Sequence, residues 1–190
     1  GRNQREWLSP AGSSLSVSIL IRKPSEAAHW YGMVLAVALT ESLISQGVQA
    51  GLKWPNDVLV DEKKIAGVLG VAHQEFVVVG IGVNLLRVAL EQTESIENLQ
   101  LNTDYDFQLS RLLERFLAIR NNVESAGKQQ LLAKLREVSH TLGKKVRVQT
   151  NAGELTGVAT EIDSEGMLVL NQGEHRISAG DILHLRGETA

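Results

Sequence analysis

Lys53-Trp54-Pro55-Asn56-Asp57 brings an ammonium, an amide and a carboxylate together where an apolar run over residues 48–54 meets a proline. Proline restricts the residue before it to extended backbone, and Asn and Asp bond readily to nearby main-chain groups, so a strand breaking into a rigid turn is predicted. Such a turn fixes the Lys53 ammonium in place. A compact charge held beside backbone amides suits a carboxylate or phosphate, and a developing negative charge best of all. Two other stretches could join in anion chemistry. Gly1-Arg2-Asn3-Gln4-Arg5-Glu6-Trp7 offers two planar, permanently charged guanidinium groups beside a glycine, enough to clamp phosphate oxygens, although a solvated basic segment is the better explanation when it is read alone. Gly80-Ile81-Gly82-Val83-Asn84 would let a flat ligand lie against backbone and ends on an amide able to bond phosphate or an ion's water shell. Close strand packing explains the same glycines, and the helix that should follow a dinucleotide-binding Gly-x-Gly is missing from the pattern.

The elements around these residues follow from periodicity. Strict alternation over residues 14–19 predicts a strand over residues 13–22 with Leu15, Val17 and Ile19 on its buried face. Ser25 is the expected N-cap of an amphipathic helix over residues 26–45 that stops at Gly47. Strands follow over residues 48–54, 58–60, 64–71 and 76–84, with turns at Lys53 to Asp57, at Asp61-Glu62-Lys63 and near Gln74. Residues 86–105 have no strong pattern and read as a long loop, a length often tied to function. Helices are predicted from an Asp106 N-cap to about Val123, and over residues 128–138. After Gly143 short β runs alternate with glycine-containing turns, the pattern of a small barrel or sandwich, so a boundary is set near residues 139–143.

Composition narrows the classes. At 190 residues the chain can bury one good core or a core plus a small module, and 43% hydrophobic with 22% charged residues is ordinary for a globular protein. Nineteen Lys plus Arg against 22 Asp plus Glu give a net charge of -3, which offers no general attraction to nucleic acid or membrane, so any cationic site must be local. Zero cysteines exclude disulfides and thiolate chemistry and fit a cytoplasmic setting. No apolar run approaches the ~18 residues of a membrane span. His29, His73, His140, His175 and His184 show no ligand spacing, so no protein-held metal site is expected. Asp61-Glu62 reads as a solvated turn, and Trp30 and Tyr31 as core. The chain opens on Gly1-Arg2 without an initiator Met, which suggests a further segment upstream.

Taken together and in this order, the three motifs resemble the biotin protein ligases, the biotin-[acetyl-CoA-carboxylase] ligase family. Lys53 to Asp57 matches its KWPND motif, Lys64-Ile65-Ala66-Gly67 its K-[IL]-A-G segment, Gly80 to Asn84 its G-x-G-x-N strand, and Gly1-Arg2-x-x-Arg5-x-Trp7 the second half of its GRGRxGRxW loop. Gln4 departs from the loop's usual glycine. The family's Ser/Thr-containing biotin segment and first Gly-Arg pair are not in this sequence, so an incomplete enzyme is the expectation. The resemblance implies an α+β catalytic domain, a mixed sheet with helices like class II synthetases, over residues 1–140, and an SH3-like β-barrel over residues 141–190. It implies formation of biotinyl-5'-AMP from biotin and ATP with Mg²⁺, then transfer of biotin to a lysine of the biotin carboxyl carrier protein of acetyl-CoA carboxylase. Lys53 and Arg2 would be catalytic; Gly1, Arg2, Lys53, Gly80 and Gly82 would hold biotin, and Arg2, Arg5, Asn56 and Asn84 the nucleotide. A homodimer is compatible with it, without membrane or nucleic-acid binding by this chain. The competing readings are a lipoate ligase of the same fold and a non-catalytic binding or regulatory module.

Overall fold

The computed structural model describes residues 9–22, 25–88, 92–150, 153–178 and 180–184. Gly1, Arg2 and Arg5 therefore lie outside the described residues. β1 (Ser14–Arg22) alternates as its sequence predicts, with Leu15 and Ile21 buried, Val17 and Ile19 half-buried, and Ser16 and Ser18 facing out. Its partner is β5 (Phe76–Asn84), followed across the sheet by β4 (Lys63–Ala72), β3 (Asp57–Val60) and β2 (Ala50–Lys53). Every strand pairing is antiparallel, and the expected mixed character survives only as single parallel bridges of Leu52 with Ser139 and Lys64 with Thr93.

One face of this sheet is covered by α1 (Tyr31–Ile44), which a short 3₁₀ segment, Glu26–Trp30, leads into. Ser25 makes no side-chain cap, and the helix is not amphipathic: residues 34–40 are all buried, because the sheet lies on one side and α2 (Tyr105–Ala126) and α3 (Gln129–Glu137) pack on the other. Glu26–Ile44 is thus long and apolar enough to cross a membrane by composition, contrary to the sequence reading, and is mostly buried as a core helix. α2 begins two residues earlier than expected, because the Asp104 carboxylate, not that of Asp106, accepts from Phe107 N–H at 2.8 Å. It buries Leu112, Phe116 and Val123 and leaves Phe107 and Leu117 exposed.

The second sheet has the order β10 (Asp181–His184), β6 (Lys145–Thr150), β7 (Gly153–Ile162), β8 (Leu168–Leu170), β9 (His175–Ile177), close to the predicted runs. It seats on the first unit through Gly166. At φ +77° and with Trp30 Cζ3 and Met33 Cε 2.9 Å from where a Cβ would stand, only glycine fits there.

Candidate functional site

Sheet register assembles the site. Lys53 pairs with Asp57, Asp57 with Gly67, Gly67 with Gly82, and Gly82 with Ser16, a row crossing all five strands. Opposed residues point to one face, so these side chains and the two bare glycines share the face that α1 leaves open. The neighbouring row on that face is Leu69, Gly80, Ser18. Three segments far apart in sequence therefore present lysine, glycine and serine to one surface. A Cβ on Gly80 would meet nothing nearer than Ser18 Oγ at 3.6 Å, an ordinary contact, so packing among the described residues does not demand glycine there. What the glycine leaves is a flat, accessible floor.

Lys53 stands where β2 turns into β3 over the cis Trp54–Pro55 bond, half-buried beside the second unit, near enough for its charge to act on His184. Asn56 holds that turn to β4: its side-chain NH₂ donates to Val68 O at 2.7 Å while its own carbonyl accepts from Val68 N–H at 2.9 Å. Asn84 is buried, with its NH₂ donating to Glu94 O at 3.0 Å and Lys64 O at 3.3 Å. It pins the loop after β5 against the start of β4. Both amides thus spend donors on the scaffold, and alternation along β5 puts Asn84 on the same side of the sheet as Gly80 and Gly82.

Sequence reasoning named a second lysine, Lys64, only within the K-[IL]-A-G match and gave it no site role. Lys64 Nζ lies 2.6 Å from Asp57 Oδ1 and over Gly67, where an added Cβ would stand 3.0 Å from it. It therefore sits nearer the middle of the face than Lys53. The bulge between Val58 and Leu59 in the β3–β4 pairing shifts its register. A lysine directly preceding an apolar strand pattern was the available signal; the bulge that aims it was not readable. Ser16 and Ser18 were legible as the polar side of an alternating strand, but nothing local distinguished a site face from a solvated one.

At the junction of the two units the presumed solvated turn does more. Glu62 accepts from Lys144 Nζ at 2.6 Å and approaches His184 Nδ1 at 3.5 Å and His140 Nδ1 at 3.7 Å. The hydrogen bond from Lys144 holds the Glu62 carboxyl below its usual range. Burial, and then the positive charges of Lys144 and Lys53, push the His184 imidazole down to about 4, against the pull of Glu62. His184 is therefore neutral at pH 7, and the ion pair of Glu62 is with Lys144. Among the described residues no cluster of three His, Asp or Glu side chains could hold a metal ion.

Comparison with known proteins agrees with this geometry. The Biotin/lipoate A/B protein ligase family matches residues 1–85, and the Biotin protein ligase C terminal domain matches residues 141–185. The Biotin–[acetyl-CoA-carboxylase] ligase of Mycobacterium tuberculosis is 34% identical over 98% of this chain and 75% of that protein. The Bifunctional ligase/repressor BirA of Escherichia coli is 26% identical over 90% of this chain, which spans 58% of it. A structure of the Aquifex aeolicus biotin protein ligase in complex with biotin and ATP superposes with a TM-score of 0.85 at 27% identity, covering 98% of this chain and 84% of that one. With the motif residues gathered on one sheet face and relatives of this similarity along its length, the chain belongs to the biotin/lipoate A/B protein ligase family, as a biotin protein ligase.

Proposed function

We propose that the chain is an ATP-dependent biotin–[acetyl-CoA-carboxylase] ligase that forms biotinyl-5'-AMP and passes the biotinyl group to a lysine amine. The observation that carries this reading is the row Lys53, Asp57, Gly67, Gly82, Ser16, with Lys64 above it: cations beside a flat glycine floor. A carboxylate oxygen of biotin attacks the α-phosphorus of ATP and pyrophosphate leaves; the acceptor amine then attacks the acyl carbon and AMP leaves. The first step brings two anions together, so fixed cations lower its barrier by offsetting their repulsion and the charge developing at phosphorus. Lys53 and Lys64 take that part here. Gly80 and Gly82 form the floor for biotin, and Asp57 keeps the Lys64 ammonium aimed.

The roles of Gly1, Arg2 and Arg5, closing over biotin and phosphates, rest on the loop motif alone. Asn56 and Asn84 serve the nucleotide side by fixing the turn and the loop. Mg²⁺ comes bound to the phosphates of ATP, the usual arrangement for an ion that keeps most of its water and needs few protein ligands. The acceptor we infer is the carrier domain of an acetyl-CoA carboxylase, in the cytoplasm, with a homodimer as the assembly to look for. The division of the chain follows the two sheets, residues 1–140 for adenylation and residues 141–190 for the barrel.

The test is pyrophosphate release by the purified chain with ATP, Mg²⁺ and either biotin or lipoate, followed by streptavidin detection of a carrier domain. Biotin-dependent release and a labelled carrier are expected, with Lys53→Ala reducing release to background at an unchanged melting temperature. Release with lipoate and not biotin would favour the lipoate reading. No release with either, even from the full-length gene product, would favour the non-catalytic one.

A further inference from the structure

Thr141 is fully buried in the segment that leads from α3 into β6, and its hydroxyl accepts the Trp54 backbone N–H at 3.0 Å, one residue beyond Lys53. The same oxygen lies 3.4 Å from His184 Nε2, and the other ring nitrogen approaches Glu62 at 3.5 Å. An imidazole with its proton on Nδ1 donates to Glu62 and accepts the Thr141 hydroxyl at Nε2, which leaves the threonine lone pairs to Trp54. Every bond in the chain then runs one way, from Trp54 through Thr141 and His184 to Glu62. Glu62 is in turn anchored by Lys144.

The strand that carries Lys53 is held from outside as well. Leu52 N–H donates to Val138 O and His140 N–H to Leu52 O, both at 2.8 Å, so residues 138–140 close the outer edge of β2. The Trp54 indole N–H donates to Gly166 O at 2.9 Å, within the second unit. The lysine turn is thus tied to the C-terminal unit by backbone and side chain, and Thr141 is the tie adjacent to the lysine.

We propose that Thr141 is a positioning residue for adenylation: through Trp54 it fixes the Lys53 turn, so the C-terminal unit determines where the ammonium sits on the open sheet face. This rests on the ligase reading above. The role needs an acceptor oxygen that can also donate, which serine supplies and valine, of equal size, does not.

The experiment compares wild type, Thr141→Val and Thr141→Ser in the full chain, measuring kcat for pyrophosphate release at saturating ATP, the KM for biotin, and melting temperature. A displaced catalytic group costs on the order of ten- to a hundredfold in rate. Thr141→Val is expected to lose at least about tenfold in kcat with the biotin KM held within about twofold, and Thr141→Ser to recover most of it. Wild-type kcat in Thr141→Val, or equal losses in both variants, would overturn the role. Should the valine variant not fold, Glu62→Ala, on an exposed turn, removes the acceptor at the far end of the same chain; a severalfold lower kcat at unchanged melting temperature supports the role, and an unchanged kcat overturns it. Absence of pyrophosphate release even from the full-length gene product would instead remove the ligase reading, and this role with it.

Discussion

Gly67 shows how a site can depend on a side chain that is absent. The Lys64 stem and ammonium pass 3.0 Å from the position of a Gly67 Cβ, and Asp57 Oδ1 lies 3.4 Å from it. Gly67→Ala must therefore push Lys64 away from Asp57. Because the displaced atoms are the end of a flexible, partly exposed chain, little folding energy is at stake. The expected outcome is a melting temperature within about 2 °C of wild type, as for surface substitutions generally, with pyrophosphate release lowered by on the order of tenfold. A fall in both together would mean that the strand, not the lysine, had been damaged. Gly80→Ala is the companion measurement. Its Cβ would enter ordinary contacts at 3.6 Å or more, so a rise in the biotin KM at unchanged stability is expected. Lys53, Gly80 and Gly82 stood out in the sequence as candidates only through the combination and order of their motifs, since each motif alone has a structural explanation. The parts of Lys64 and Ser16 were not legible, because the bulge in the β3–β4 pairing aims Lys64 and a strand partner 66 positions away, Gly82, decides the surroundings of Ser16.

At the level of elements, alternation read the strands well, since a period of two records which face is buried whatever the partner. It could not tell that the helix over Tyr31–Ile44 would be buried all round, because that depends on α2 and α3 arriving on its far side. Nor could it tell that the patternless loop is pinned. Lys64 N–H donates to Gln92 O, Glu94 N–H to Lys64 O, and Ile96 N–H to Asn84 O, each at 2.9 to 3.0 Å, and the Asn84 side chain spans the gap between Lys64 and Glu94. Asn84 lies where nucleotide chemistry was expected, yet its described contacts are those of a loop tie. Asn84→Ala takes from Glu94 O its side-chain donor in a buried region, while Lys64 O keeps that of Glu94 N–H, at a cost of about 1–3 kcal/mol. For a chain of this size that is roughly 2–12 °C in melting temperature. Denaturant unfolding measures it; a loss of nucleotide affinity with no change in stability would return Asn84 to direct ligand contact.

Over the whole molecule, the change to short β runs after Gly143 was readable in the sequence, but not what meets there, since Glu62, the pair His140 and Lys144, and His184 belong to three separate segments: the β3–β4 turn, the α3–β6 connection and the end of β10. Their proximity gives the junction a dependence on acid. His184 is held at about 4, below its ordinary 6.5, first by burial and then by Lys144 and Lys53, with Glu62 opposing. Burial first, then Lys144, lowers His140 as well, against Glu62 and Asp61. The folded chain thus keeps both rings neutral where the unfolded chain would protonate them. A group depressed in this way contributes stability that is complete above about 6.5 and is lost as pH falls toward the folded value. For His184 the slope of 1.36 kcal/mol per pH unit gives a loss of about 2 kcal/mol by pH 5, as an upper bound. Glu62, whose pKa Lys144 lowers below 4.5, gives up its contribution only in more acidic solution, so the window from pH 6.5 to 5 isolates the histidines. Melting temperature measured from pH 7.5 to 5 should fall in wild type and fall less in His184→Gln, which cannot take up the proton. Parallel curves for the two would place the acid sensitivity elsewhere. A proton on His184 in the folded chain would set a cation beside Lys53 and abolish the acceptor that Nε2 offers to Thr141, and that proton arrives only as pH nears about 4, so the adenylation rate of the folded chain should hold from pH 6.5 to 5 and decline below it.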